Sequence, residues 1–597
     1  MKILQVIHDF LPRHQAGSEL YCYHLSRSLQ QRGHEVRIFY SEIDHERPNY
    51  STREADYDGI PVYEIVNNHA FSSFEETWSN PAAEHAFEQI LDTFQPDLVH
   101  FHHLLNLSYG CVTLCREKNI PVVFTLHDYW LTCPRGGGQR FRGEGEICHE
   151  VDSRLCADCI SRYSFPSSRM IRFIKRLVSR FERVDDPTLL SRMLNGTIET
   201  RDRNFVSRGF CTIDGDQKEV LYAHPPSRIT FPLDIPPQST LIFSIAMDPS
   251  TYEHFGDGVR FGVEIEGTSV YSLFLNAKEK KEDQGWHHAQ VSLADFEGKG
   301  RMVTFQTEAY PQGIIDFCTA CWAEPKLLTE STDMYQPSLT RKIQSKGERL
   351  LGGVQRSRLK SRVENRREAT LQLFHDTDLF IAPSRFLREK FIEYGLNPEK
   401  IIYSDYGIAP LSYTPGIRKV KHPIRFTYVG TLVEHKGLHV LIEAFNQLPQ
   451  DQAILNVYGS LNEFTGYVHR IQSMIQHPGI TLRGRVENHQ ITRILEQTDV
   501  LVIPSIWFEN SPITIHEAFL ARVPVITSRF GGMAGLVRDE ENGLLFEMGD
   551  SKDLLRCLMK LVYMPETIEK LRPHPNDVKT LEDDAEWMEA QYVRLLK

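Results

Sequence analysis

Twice along this chain, short runs of β-branched and large apolar residues alternate with amphipathic helical stretches, and this rhythm narrows the fold more than any other feature. From Met1 to about Val123 the strand-like runs are "KILQVI", "EVRIFY", "PVYEIV", "DLVHF" and "PVVFTL". Between the first two lies "SELYCYHLSRSLQQRG", where Cys22, Leu25 and Leu29 share one helical face and Gly33 supplies a stop. From about Ile424 the same grammar returns as "IRFTYVG", "AILNVYG", "DVLVIPS" and "VPVITS". Strands that alternate with helices pair in parallel and need cover on both faces, so each stretch is expected to form a doubly wound, Rossmann-like α/β domain. "TDLFIAPS", ending at Ser384, echoes "TDVLVIPS", ending at Ser505, as corresponding elements of two related halves do.

Between the halves the pattern changes. "RITFPLDI", "TLIFSIAMD", "VRFGVEIEG", "SVYSLFLN", "HAQVSLADF", "MVTFQTEA" and "IIDFCTACW" follow one another at short spacing, joined by Gly, Pro, Asp and Ser turns. Seven or eight such strands predict an inserted all-β sandwich of jelly-roll type. The expected domains are therefore residues 1–185, 195–325 (the β insert), 330–415 (a helical return and the last elements of the first domain) and 418–597.

Composition excludes some partners. Hydrophobic content of 41% and charged content of 24% are those of a globular protein, and a net charge of -12 argues against nucleic acid as a partner. "MKILQVI" stops at His8 and Asp9, too short an apolar run for a leader, and reads as a first strand. No stretch reaches the ~18 consecutive apolar residues of a membrane span, so membrane contact would be peripheral. The expectation is a cytoplasmic protein whose eleven cysteines are reduced thiols or metal ligands.

Chemistry concentrates in the second α/β stretch. "FENSPITIHEAF" places Glu509 and Glu517 eight residues apart around a helix start, with Ser511 read as the N-cap and Pro512 as the first helical residue. Free amides at such a start attract phosphate, and a carboxylate can accept two sugar hydroxyl protons. After "RFTYVG", Gly430, Thr431 and Lys436 fall at a strand end, where open parallel sheets bind ligands. Gly531 and Gly532 in "FGGMAGLV" permit close backbone approach to a ligand.

The ordered set "GTLVEHKG", "PSIWFENSPITIHEAFLARVPVITS", "GGMAGLV" and "NGLLF" resembles the retaining nucleotide-sugar glycosyltransferases of family four, which have the GT-B architecture of two facing Rossmann-like domains. The resemblance spans roughly residues 1–185 and 330–597 and leaves out the β insert. It implies that Glu517 binds the ribose hydroxyls, and that Glu509 with the amides around Ser511 to Ile513 faces the donor sugar and diphosphate. By the same resemblance, Lys436 neutralises the leaving diphosphate. Gly17, in "RHQAGSEL", is similar to the glycine of the loop after the first strand, set against the donor phosphate. His127, in "TLHDYW" beside Asp128, matches a histidine that reaches the donor sugar; the bland alternative is a histidine bonded within its own loop. Thr431 stands where the family often has arginine, and Gly535 where it usually has glutamate.

The implied reaction displaces a nucleoside diphosphate with retention and without a catalytic metal, moving a sugar to a glycan or lipid-linked acceptor, as in surface polysaccharide synthesis. A non-catalytic sugar-binding protein built on a decayed transferase, or a GT-B epimerase, are the alternatives. Cys133, Cys148, Cys156 and Cys159 fall in one loop, the last two at C-x2-C spacing, and are candidate ligands of a structural zinc. Cys318 and Cys321 share that spacing inside a strand, where residues three apart face opposite ways, and read as packing. The basic stretch around Arg172 admits two readings, a helix lying on the inner face of an anionic membrane or a charged outer face folded on the next domain. In the insert, Trp286 beside His287 and His288 is either a ring that stacks on a sugar or a core plug.

Overall fold

In this computed structural model the described residues are 1–44, 47–68, 73–134, 147–148, 151–161, 189–194, 196–200, 206–213, 216–252, 257–310, 318–328, 359–410, 419–462 and 464–597. The basic stretch around Arg172 lies outside them. The chain divides into two compact units, the first formed by Met1–Cys156, Ser361–Asn462 and Arg470–Lys597, the second by Ala157–Lys360 and Glu463–His469.

The first unit holds two sheets. Strands β1 (Lys2–Ile7), β2 (Glu35–Glu42), β3 (Thr52–Tyr57), β4 (Ile60–Val66), β5 (Leu98–Phe101) and β6 (Val122–Thr125) are joined, after the insert, by β17 (Leu379–Ala382) and β18 (Ile401–Tyr403). Their order is β18-β17-β6-β5-β1-β2-β4-β3, parallel throughout except for the β3–β4 hairpin. β3, "TREADY", was invisible to a search for apolar runs because it is an exposed edge with no core face to fill. The second sheet runs β21 (Ile480–Gly484), β20 (Ala453–Tyr458), β19 (Ile424–Val429), β22 (Val500–Ile503), β23 (Val525–Ser528) and β24 (Gly543–Phe546), all parallel. In chain order that is 3-2-1-4-5-6, the Rossmann order, and such sheets bind ligands outside the strand ends where the order reverses, here between β19 and β22. In the first sheet the reversal lies between β1 and β5.

Strands buried on both faces carry the near-continuous apolar runs read from sequence: β22, "VLVI", has no exposed residue. Cys22, Leu25 and Leu29 of the helix Gly17–Gln31 are buried as the periodicity predicts, and Gly33 ends it with φ +90°. A late helix, Leu581–Leu595, returns to pack on Gly17–Gln31, where Tyr592 bonds His100 and Asp584 accepts from Tyr21.

The second unit contains two antiparallel five-stranded sheets, ordered β13-β12-β15-β10-β7 and β14-β11-β16-β9-β8. Their strands are β7 (Thr197–Thr200), β8 (Val206–Ile213), β9 (Asp216–Ala223), β10 (Ser227–Ile235), β11 (Thr240–Met247), β12 (Gly258–Ile265), β13 (Thr268–Leu275), β14 (His287–Ser292), β15 (Gly298–Tyr310) and β16 (Ala320–Leu328). Residues of both sheets make one apolar core around Phe231, Phe243, Phe261, Phe305 and Trp322. Strict alternation carries it: along β10, Ser227, Ile229, Phe231, Leu233 and Ile235 are buried in turn. Three strands, β7 to β9, lie ahead of the seven runs read from sequence, because they are too polar to stand out, and β16 runs to Leu328 rather than 325. Trp286 is half-buried with its ring N–H on the Asp216 carbonyl at 3.3 Å; the core plug is Trp322.

Candidate active site

The loops after β19 and β22 meet at the reversal point of the second sheet. Gly437 adopts φ +71°, and a Cβ there would lie 1.9 Å from the Pro504 carbonyl oxygen, so the lysine-bearing turn can press onto the next loop only with glycine in this place. The Ile506 amide donates to the His435 carbonyl at 2.9 Å, fixing the two loops together. The contact delivers Lys436 to Glu509: Nζ stands 2.6 Å from Oε1, which also accepts from Ser505 Oγ at 2.8 Å. Burial works against the Glu509 charge, but the Lys436 ammonium and the donors from both neighbours outweigh it and hold this carboxyl below its ordinary range. Two groups singled out separately in the sequence thus form one nearly buried ion pair, with Lys436 lying over the Trp507 ring at 5.3 Å.

The helix that follows begins at Ile513, and Ser511 is not its cap. Pro512 occupies the cap position, no side chain caps the helix, and the Ser511 hydroxyl pairs instead with His516 Nε2 at 2.8 Å. The start is left open, as an anion site requires. Gly17 opens the helix of the first sheet, also uncapped, and a Cβ on it would sit 3.3 Å from Ile513 Cδ1. Two uncapped helix starts therefore come together, each with the positive end of its dipole. Thr431 lies on the exposed turn after β19, its carbonyl held by Tyr428 Oη at 2.9 Å.

Glu517 contrasts with Glu509. Its Oε2 is buried with no hydrogen-bond partner, and burial alone pushes the carboxyl up to about 7. A buried, unsatisfied carboxylate is costly, and the cost is relieved by a ligand that offers hydroxyl donors.

His127 is in place but engaged. Burial and the neighbouring histidines keep its ring neutral, and burial does the same for His102. Tyr406 Oη lies 2.7 Å from His127 Nδ1, His127 Nε2 lies 3.1 Å from His102 Nδ1, and His102 Nε2 lies 2.8 Å from Gln5 Oε1. One proton assignment satisfies the chain: Tyr406 donates to His127, His127 to His102, His102 to Gln5. Both ring nitrogens of His127 are then used inside the protein, by partners 279 and 25 residues away rather than within its own loop. The His127 carbonyl accepts from Asn510 Nδ2 at 3.1 Å, so this strand end anchors the glutamate loop through its backbone. Beside it, His8 Nε2 approaches Glu19 at 3.5 Å and Asp9 at 3.6 Å, and His103 reaches Asp128 at 3.3 Å. Sequence reading missed Asn510, although it sits between two chosen residues, and missed His102 and Tyr406, which only the fold brings to His127.

Gly531 and Gly532 also let two stretches of the protein's own backbone come close. A Cβ on Gly532 would lie 1.5 Å from the Asn510 carbonyl oxygen, and its amide donates to the Glu509 carbonyl at 2.8 Å. Gly532→Ala is expected to cost the ~1–3 kcal/mol of an overpacked site and to disturb the Lys436–Glu509 pair. Gly535→Ala, where a Cβ meets nothing within 4 Å, should stay within about 0.5 kcal/mol of wild type in urea unfolding.

Cys133 and Cys159 are buried, Cys148 and Cys156 half-buried, and the connecting residues 135–146 and 149–150 lie outside the described set. Among the described residues, the metal-capable groups whose donor atoms all lie within 4.8 Å of one another are His8–Asp9–Glu19 and Cys211–Asp248–Cys321, and the four loop cysteines are not in either.

Two family models match the chain: "Glycosyltransferase Family 4" over residues 16–185 and "Glycosyl transferases group 1" over residues 415–574. Among curated proteins, the amylovoran biosynthesis glycosyltransferase AmsK of Erwinia amylovora is 28% identical over 204 residues, 32% of this chain and 49% of that protein. The UDP-Gal:alpha-D-GlcNAc-diphosphoundecaprenol alpha-1,3-galactosyltransferase of Escherichia coli is 26% identical over 185 residues, 28% of this chain and 47% of that protein. The chain spans about half the length of the curated relatives it matches. Among solved structures, sucrose-phosphate synthase from Thermosynechococcus elongatus aligns with TM-score 0.51 and 12% identity over 100% of this chain and 98% of that one, which gives the first unit's two sheets the GT-B fold.

Proposed function

Because its two α/β regions are those of the group 1 and family 4 glycosyltransferases, we propose that this chain moves a sugar from a nucleoside-diphosphate sugar to a glycan or lipid-linked acceptor in surface polysaccharide synthesis, with retention of configuration and no catalytic metal. The observation that carries this reading is the pairing, at one sheet reversal, of an open helix start and the Lys436–Glu509 pair with the unpartnered carboxylate of Glu517. Glu517 accepts the two ribose hydroxyls; the amides at Ile513 and the helix start at Gly17 hold the diphosphate. Lys436, oriented by Glu509, meets the negative charge that grows on the leaving phosphate. The bond from the anomeric carbon to the phosphate oxygen breaks and its electron pair leaves with the diphosphate. The acceptor hydroxyl oxygen bonds the same face of that carbon, and its proton passes to the departing phosphate oxygen. His127 acts by positioning, through Asn510 and the Tyr406–His127–His102 chain. The names of the two curated relatives, one of polysaccharide biosynthesis and one with a diphosphoundecaprenol-linked acceptor, support the acceptor class. A structural zinc at Cys133, Cys148, Cys156 and Cys159 rests on their spacing alone.

A thermal-shift screen of nucleoside diphosphates tests the donor site. One base is expected to stabilise the protein by about 2.7 kcal/mol at a hundredfold excess over Kd. Stabilisation by no nucleotide, together with stabilisation by free sugars, would leave a sugar-binding protein in its place.

A further inference from the structure

Cys211 in β8, Asp248 just past β11 and Cys321 in β16 bring two thiol sulfurs and a carboxylate oxygen within 4.8 Å of one another. The register explains the meeting on one side. Cys321 lies opposite Ala246 in β11, so Asp248, two residues on, faces the same way. Cys211 comes from the outermost strand of that sheet. Both thiols are buried in a small apolar cluster with Ile213, Val220, Ala246 and Ala323, separate from the main core between the sheets. Cys318, the other half of the C-x2-C, points elsewhere and donates to the Asp257 carbonyl at 3.1 Å. The spacing that looks like a chelate therefore is not one, and the true partner of Cys321 lies far upstream.

We propose that Cys211, Cys321 and Asp248 hold a divalent thiophilic metal ion, with zinc the best fit. A donor set of two sulfurs and one carboxylate oxygen suits a borderline-soft ion and excludes the hard ions calcium and magnesium, which take oxygen donors. With Zn–S bonds of about 2.3 Å, tetrahedral donors stand roughly 3.8 Å apart, so atoms already within 4.8 Å close on the ion by side-chain adjustment. Asp248 is half-exposed and gives the ion its route in, with water as the fourth ligand. Both cysteines bind such an ion as thiolates, so binding releases protons. The ion would tie the edge strand β8 to β11 and β16, two inner strands of the sheet.

The test uses the full chain purified without chelators, with zinc counted by elemental analysis. Cys211→Ser and Cys321→Ser should each lower the content by about one equivalent per chain in a Cys156→Ser background, which removes any loop contribution, and Cys318→Ser should not. Equal content in all variants would overturn the site, as would recovery of Cys211 and Cys321 as a disulfide in metal-free protein. Should the serine variants fail to fold, the wild-type chain answers by residue-resolved thiol alkylation. Chelator is expected to speed labelling of Cys211 and Cys321 severalfold; identical rates with and without chelator would sink the proposal.

Discussion

Replacing Glu517 by glutamine is expected to stabilise the nucleotide-free protein and to weaken nucleotide binding at the same time. Burial raises this carboxyl from 4.5 to about 7, so the folded state resists its ionisation. The sign follows from linkage: the penalty is absent below the unfolded value, grows between 4.5 and 7, and is complete above 7, where it is on the order of 3 kcal/mol. Glutamine escapes it, so at pH 8 the variant should unfold at higher urea. Ribose hydroxyls donate best to the ionised carboxylate, and hydrogen bonds to a charged acceptor are worth about 1.5–3 kcal/mol. Calorimetry at pH 8 should therefore show roughly 10- to 100-fold weaker nucleotide binding in Glu517→Gln. Wild-type affinity should also fall more steeply than the variant's as pH drops from about 8 to 6, because the Glu517 carboxyl loses its charge there only in wild type, whereas protonation of the nucleotide's terminal phosphate weakens both alike. Parallel pH profiles would remove Glu517 from the nucleotide site.

Lys436→Met should lower turnover by about 10²–10³-fold, the usual loss when one donor to a developing anion is removed. It should also destabilise the fold by about 3–5 kcal/mol, because it leaves Glu509 buried and unpaired. Glu509→Gln leaves a lysine that is 27% exposed and can turn to water, so its cost in stability should be smaller. The double substitution separates the effects: stability should recover most of the loss seen in Lys436→Met, while turnover should not recover at all. If turnover returned with stability, Lys436 would be a fold element only.

The two Rossmann-like sheets were legible because strands buried on both faces must be apolar along their whole length, as "VLVI" and "VVFT" are. Strands β3, β7, β8 and β9 were not, since an edge or half-exposed strand need not carry that signature. Glu509, Glu517 and Lys436 could be chosen from local motifs, yet nothing local says that Lys436 bonds Glu509 across 73 residues, or that Ser511 prefers His516 to the helix amides it was expected to cap. Capping is a competition, and a buried histidine five residues on wins it here. The glycines of "FGGM" show the converse: a close approach is read from their sequence, and which protein backbone comes close, that of Glu509 and Asn510, is seen only in the fold.

The hydrogen bond between His100 and Tyr592 joins residues 492 positions apart, and Tyr21 meets Asp584 across 563. A growing chain that has made β1, β5 and β6 still lacks β17 and β18 beside them and the helix that closes over Tyr21 and His100. The first sheet is begun early and finished late. Contacts of such separation are slow to form and leave apolar surface waiting, so the N-terminal sheet is expected to spend synthesis as an open intermediate, guarded or at risk of aggregation, until residues near 592 have emerged.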